Sequence, residues 1–318
     1  MTALRATSLV AILLTFAMIV LGAVIRTTGS GMSCPDWPTC YGHWVPLPSD
    51  LEGIPNLGYS YAQVLYEWVH RLIAGVILGP LVLLVGILAF RRRDQAPRLG
   101  WAGPLAVALL IVQATLGAVT VFESNSPWSV AVHLGNALVL LVVLIAVHDA
   151  SRVRRPAVAA AARLATLAGG ALGLALLAMM SAAMTAKSGA SLACTAWPLC
   201  ELGTAVDWGD FGVRIHMSHR VLAGLFALAV LLLAIGVTRE PAADPGLRRR
   251  SWLALGLVTL QVGFGALVIV LEVPVWKAVL HQATGVLTFV VVADLFWRAR
   301  GASRRPLARE PQLALALR

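Results

Sequence analysis

Eight apolar runs divide this chain, and each is long enough to cross a hydrocarbon core of about 30 Å, which takes about 20 helical residues. They lie at roughly 6–26, 62–90, 99–122, 129–148, 163–186, 213–238, 251–271 and 276–297. No soluble domain hides that many such runs. A mean hydropathy of +0.82 with only 13% charged residues agrees. The expected fold class is an all-α integral membrane protein of eight transmembrane helices. The first run follows Arg5 and invites comparison with a signal peptide, but Leu9 to Ile25 is longer than the usual apolar region of one and lacks a clear cleavage site. It is read as a helix.

The formal charge of +10 would suit a nucleic-acid binder if it were gathered on one surface. Instead the basic residues follow membrane sidedness. Arg91, Arg92, Arg93 and Arg98, then Arg152, Arg154 and Arg155, then Arg248 to Arg250, and the tail from Arg298 onward all fall after even-numbered runs. By the positive-inside rule those connections and both termini are cytoplasmic. The arginines are spent on the inner membrane face, and no nucleic-acid partner is expected. The opposite face carries the two longest connections, about 27–61 and 187–212.

All four cysteines lie in those outer connections. Cys34-Pro-Asp-Trp-Pro-Thr-Cys40 and Cys194-Thr-Ala-Trp-Pro-Leu-Cys200 share one pattern, C-x2-W-P-x-C. An oxidising outer face permits a bridge within each pair, Cys34–Cys40 and Cys194–Cys200, either structural or redox-active. Zinc is the rival, but no second ligand pair stands beside either one.

The shared loops belong to a larger internal repeat. An offset of 160 places Gly29 on Gly189 and Trp37 on Trp197; offsets of 149 and 148 place Glu67, His70 and Arg71 on His216, His219 and Arg220, and Gln113, Gly117, Trp128 and His133 on Gln261, Gly265, Trp276 and His281. Polar matches in register do not arise from apolar composition alone. The reading is two tandem four-helix bundles, parallel because each copy has an even number of helices. Residues 1–150 form the first half, 151–162 a cytoplasmic linker, 163–297 the second half and 298–318 a basic tail on the inner leaflet or in solution. The first outer loop is longer than the second by eleven residues, around Pro46 to Gly58. That stretch is either a lid or a tolerated insertion.

The chemistry concentrates on four histidines. His70, His133, His219 and His281 sit on the second, fourth, sixth and eighth helices, five to nine residues from the outer end, hence on the order of 10 Å below the outer surface at about 1.5 Å per residue. Neutral imidazoles at matching depth on paired helices suit axial coordination of haem iron. The repeat pairs His70 with His133 and His219 with His281. Arg71 and Arg220 are candidate partners for propionates. Gly75, Gly117, Gly135, Gly224, Gly265 and Gly285 either admit a flat macrocycle or serve ordinary helix packing. Trp128 and Trp276 are either porphyrin neighbours or interfacial anchors. His43 and His148 have no counterparts and are expected to be solvated.

The halves differ at one polar position: Glu67 stands where the second copy has His216. With this set, Glu67-x-x-His70-Arg71, His133, His219-Arg220, His281 and both cysteine loops, the chain resembles the haem A synthase family along all eight helices. The resemblance implies oxidation of a methyl group of haem O to the formyl group of haem A. It implies that His219 and His281 ligate a permanent haem b, that His70 and His133 flank haem O, and that Glu67 is the catalytic acid, able to move protons near the porphyrin edge. It further implies a role in activity or redox handling for Cys34 and Cys40, delivery of haem O by the farnesyltransferase that makes it (haem O synthase), and an oxidase assembly pathway as recipient. The expected location is the plasma membrane, with the haem sites and cysteine loops toward the outside. A dihaem b-type electron carrier and a haem transporter are the alternative functions, and use of His216 in place of His219 is an alternative ligand pairing.

Overall fold

The computed structural model describes residues 1–54, 57–152, 161–201, 206–241, 243–272 and 275–303. Among these, eight helices are long and apolar enough to span a membrane. They are α1 (Thr2–Thr27), α2 (Tyr61–Phe90), α3 (Pro97–Phe122), α4 (Pro127–Ala150), α5 (Ala161–Lys187), α6 (Phe211–Thr238), α7 (Pro245–Val270) and α8 (Val275–Ser303). The described part of the fold is all-helical, as expected. Most of the interhelical linker and the tail from residue 304 lie outside the described residues.

Local chemistry sets the helix starts. Pro97, Pro127 and Pro245 occupy first-turn positions, where a missing N–H costs nothing. The side chains of Ser60, Ser126 and Asp210 accept backbone N–H groups at the starts of α2, α4 and α6. Helix α2 contains a π-helical turn at Ile73–Leu78, immediately before Gly79-Pro80. Proline cannot donate to the carbonyl four residues back and its ring crowds that carbonyl, so the preceding turn widens. α6 has no proline inside it and stays α-helical throughout, as α3 does around Pro104, so an internal proline permits the widened turn without dictating it.

Lipid tails are as apolar as leucine, so spans do not associate to escape water; close approach and polar ties decide the arrangement. α1 packs on α2, α2 on α3, α3 on α4 and α4 back on α1; α5, α6, α7 and α8 close a second ring in the same order. α1 and α4 of the first ring meet α5 and α8 of the second, and α4 is buried along most of its length. Consequently α2 and α4 stand across a ring from one another, and so do α6 and α8. The α2–α3 contact is a backbone approach: a Cβ at Gly103 would lie 2.8 Å from the Gly86 carbonyl oxygen, and one at Gly86 would collide with a Val107 methyl.

At the end of the bundle away from the cysteine loops, Asp294 binds Arg152 at 3.0 Å, Arg250 at 2.9 Å and Arg298 at 2.5 Å, and Arg98 binds Asp149 at 2.7 Å. The expectation for His148 fails here. It is 5% exposed, because α4 packs against the start of α1, and its Nδ1 meets the Ser8 hydroxyl at 3.1 Å and the Arg5 carbonyl at 3.2 Å. His43 is exposed as expected and lies 3.7 Å from Asp50.

Candidate functional site

Both cysteine pairs are closed as disulfides, Cys34–Cys40 with Cα atoms 4.7 Å apart and Cys194–Cys200 with 4.3 Å. No free cysteine remains for zinc. Each bridge is buried at the centre of a small apolar cluster on the outer loop. In the first, Leu51 and Val64 pack on the bridge, the Tyr61 hydroxyl donates to the Pro46 carbonyl at 3.3 Å and the Trp68 indole donates to the Trp44 carbonyl at 2.8 Å. The described part of the first loop's long stretch is therefore packed on α2 through Pro46 and Leu51.

An arginine ties each loop down. Arg71 donates to the carbonyls of Asp36, Thr39 (2.7 Å) and Cys34 (2.9 Å), and to the Glu67 carboxylate at 2.6 Å. Arg220 donates to the carbonyls of Ala196 (2.7 Å), Pro198 (3.1 Å), Leu199 (2.8 Å) and Cys194 (3.0 Å). A planar guanidinium with donors in a fixed fork suits this convergent set of oxygens. The terminal nitrogens of both candidate propionate partners are thus engaged by loop carbonyls, a use that sequence spacing alone did not reveal.

Glu67 belongs to the same assembly. It is 6% exposed, and besides Arg71 its carboxylate accepts the Ser33 hydroxyl at 3.1 Å and the Cys34 backbone N–H at 2.9 Å. A buried carboxylate is tolerable when paired and hydrogen-bonded in this way. The acid one turn from His70 is consequently fastened to the cysteine loop. Its counterpart His216 is 4% exposed, rests against the Ala190 backbone and has a buried Nδ1 without a hydrogen-bond partner.

The four repeat-register histidines sit on diagonally opposed helices, His70 on α2 with His133 on α4, and His219 on α6 with His281 on α8. Each pair lies within electrostatic reach of its own members. The Nδ1 of His70 is buried with no partner. His133 lies 3.1 Å from the Gln113 amide nitrogen, and Asn136 donates to that glutamine's oxygen at 2.7 Å. His219 Nδ1 meets the Ala178 carbonyl at 2.9 Å, and His281 Nδ1 meets the Gln261 carbonyl at 3.2 Å. Backbone carbonyls at Nδ1 place the ring hydrogen of His219 and His281 there and leave Nε2 as the acceptor, the tautomer that metal-bound histidines use; the Nε2 of His281 also lies 3.3 Å from the Gln261 amide nitrogen. Gln113 and Gln261 were visible in the sequence as repeat matches, but only the tertiary packing places them on the imidazoles.

The glycines separate into three uses. A Cβ at Gly117 would lie 3.5 Å from His133 Cε1, and one at Gly265 would lie 3.1 Å from His281 Cε1, so these two let α3 and α7 approach the imidazoles. Gly135 and Gly285 accommodate Met180 and Gln261. Gly75 and Gly224, five residues after His70 and His219, would place a Cβ in open space. Trp128 and Trp276 are 48% and 61% exposed and face outward. Among the described residues no cluster of three or more His, Cys, Asp or Glu could hold a bare metal ion. Two imidazoles paired within each ring, with the buried Nδ1 of His70 left unpartnered, are a donor set that suits haem.

Comparison with known proteins points the same way. A "Heme A synthase" of Shewanella oneidensis is 31% identical, the match covering 93% of this chain and 97% of that protein. Proteins of the same name from Geobacillus kaustophilus and Shouchella clausii are 27% and 29% identical, with 90% and 79% of this chain and 88% and 82% of those proteins covered. The signature of the COX15-CtaA family, described as cytochrome oxidase assembly protein, matches residues 5–293. A match of that extent, spanning every helix and both cysteine loops, makes this chain a member of the COX15-CtaA family.

Proposed function

We propose that the chain is a haem A synthase, which oxidises the C8 methyl of haem O to a formyl group and so provides haem A for terminal oxidase assembly. One observation carries the assignment of roles to the halves. Two histidine pairs occupy equivalent places in the two rings, yet only the pair His70–His133 has a buried carboxylate, Glu67, one turn away. Haem O is the substrate between His70 and His133, and haem b is the cofactor held by His219 and His281.

Converting a methyl to a formyl group removes both protons and electrons. When bound, haem b supplies a one-electron centre in the same protein, giving the electrons a route out of the first ring. Glu67 is the only carboxylate beside either histidine pair among the described residues, and its role is to hold and pass protons released at the methyl edge. Ser33, the Cys34 N–H and Arg71 keep it in one position, which is what a proton acceptor needs to act on one edge of the substrate. His216 gives the second ring no such acid, in keeping with a ring that transfers electrons only.

The placement of arginines argues that both termini are cytoplasmic, and that the cysteine loops and histidines lie toward the outer face of the plasma membrane. Haem O synthase is the partner that delivers substrate. The first ring with its long loop is the substrate half, and the second is the cofactor half.

Extraction and chromatographic separation of haems from purified wild type and Glu67→Gln, produced where haem O is available, tests this reading. Wild type is expected to carry haem b with haem O or haem A; the variant keeps haem b and accumulates haem O or a half-oxidised haem. Two equivalents of haem b and no farnesylated haem in both proteins would instead identify a dihaem electron carrier.

A further inference from the structure

With Arg71 and Arg220 committed to the cysteine loops, the carboxylates of a bound porphyrin need other partners. Two cations at the junction of the rings form no ion pair among the described residues. Arg26, in the last turn of α1, donates through Nη2 to the neutral Gln282 side chain at 3.3 Å, and its buried Nε has no hydrogen-bond partner. Lys187, in the last turn of α5, lies within electrostatic reach of Arg26, and Arg26 lies within reach of His281. Ion pairs of the described residues engage Arg71, Arg98, Arg152, Arg250 and Arg298, but neither Arg26 nor Lys187.

Two like charges brought together and partly withdrawn from water repel one another and lose hydration. Such an arrangement persists when an anion completes it. Gln282 follows His281 directly in α8, so the guanidinium is held beside the helix that carries a ligand of the second ring. A planar donor fork held beside α8, with an ammonium within electrostatic reach of it, offers charged donors of the kind that the two carboxylates on one edge of a haem accept.

We propose that Arg26 and Lys187 bind the propionates of the haem held between His219 and His281. Arg26 belongs to the first four-helix ring, so the cofactor site of the second ring is completed by α1 of the other half. This rests on the reading of His219 and His281 as haem b ligands.

The test is haem loss from full-length protein in lipid nanodiscs to excess apomyoglobin, for wild type, Arg26→Gln, Lys187→Gln and Arg26→Lys, each loaded with haem b or with haem b dimethyl ester, which lacks the carboxylate charges. Arg26→Gln is expected to release haem b about tenfold or more faster than wild type, the scale of one charge-assisted hydrogen bond. Lys187→Gln should act in the same direction, and Arg26→Lys should retain most of the slow release. Wild type loaded with the ester should release it at least as fast as Arg26→Gln releases haem b, and Arg26→Gln should accelerate the loss of haem b but not that of the ester. Equal acceleration of haem and ester by Arg26→Gln would mean a structural effect only and would overturn the proposal. So would unchanged release of both, the outcome expected if a lipid phosphate is the anion; nanodiscs with and without anionic lipid identify that case. A wild-type haem that survives His219→Ala and His281→Ala with its spectrum unchanged would instead refute the ligand assignment itself, separately from the role of Arg26.

Discussion

Replacing Arg220 with methionine keeps most of the side-chain volume and removes four hydrogen bonds to the second cysteine loop. The bonds to the Pro198 and Leu199 carbonyls are exposed, and water replaces the lost donor there at little cost. Those to Ala196 and Cys194 are partly buried. Hydrogen bonds to a charged donor contribute about 1.5–3 kcal/mol each, so the two together hold the loop by about 3–6 kcal/mol. Cys194 and Cys200 are 0% and 2% exposed, so a reductant reaches the bridge only when the loop opens. At 1.36 kcal/mol per decade, even the lower figure raises the open population by roughly a hundredfold. The assay is the rate of reduction by dithiothreitol under native conditions, read by maleimide mass-tagging. Cys194–Cys200 should be reduced roughly a hundredfold faster in Arg220→Met, while Cys34–Cys40 in the same molecule, still held by Arg71, keeps its wild-type rate. A change below about threefold would show that water serves these carbonyls as well as the guanidinium does, and the account of the arginine as the loop's anchor would be wrong.

Other consequences can be checked independently. Gly265→Ala sets a Cβ 3.1 Å from His281 Cε1, so the ring must shift by tenths of an ångström; electron paramagnetic resonance of the haem proposed to be held by His219 and His281 should change, whereas Gly224→Ala, with open space around its Cβ, should leave it unaltered. Gly103→Ala places a methyl 2.8 Å from the Gly86 carbonyl and 2.9 Å from Ala89 Cβ; separating α2 from α3 should cost about 1–3 kcal/mol, seen as a lower thermal midpoint. Burial pushes the Asp36 carboxyl up, but hydrogen bonds from Thr39, Gly42 and Tyr41 together hold it below its ordinary value. A depressed acid contributes stability above its unfolded pKa of about 3.9 and loses it as pH falls through the lower folded value. Reduction of Cys34–Cys40 by a phosphine active in acid should therefore accelerate as the pH drops below about 4, and Asp36→Asn should reduce at a rate independent of pH across that window.

Much of the site was legible before any fold was known, for a reason particular to membranes. An ionisable side chain within a span is costly enough that its presence already signals a task. His70, His133, His219, His281 and Glu67 stood out on that ground, and their repetition at nearly constant offsets paired them. His148 misled the same logic. It lies near the end of a span, where hydropathy treats it as solvated, but the start of α1 covers it, a neighbour some 140 residues away in the chain.

Run length determines how many helices there are, and arginine placement gives the face each loop is expected to occupy, because bilayer thickness and insertion energetics act on each segment separately. The order of helices around each ring is a different matter, since packing between spans gains nothing from hydropathy. Backbone approaches such as Gly86–Gly103 and polar contacts between remote residues decide it. That is why the carbonyl-binding role of Arg71 and Arg220, the glutamines on His133 and His281, and the approach of Arg26 to Gln282 across 256 residues of sequence became apparent only in the folded protein.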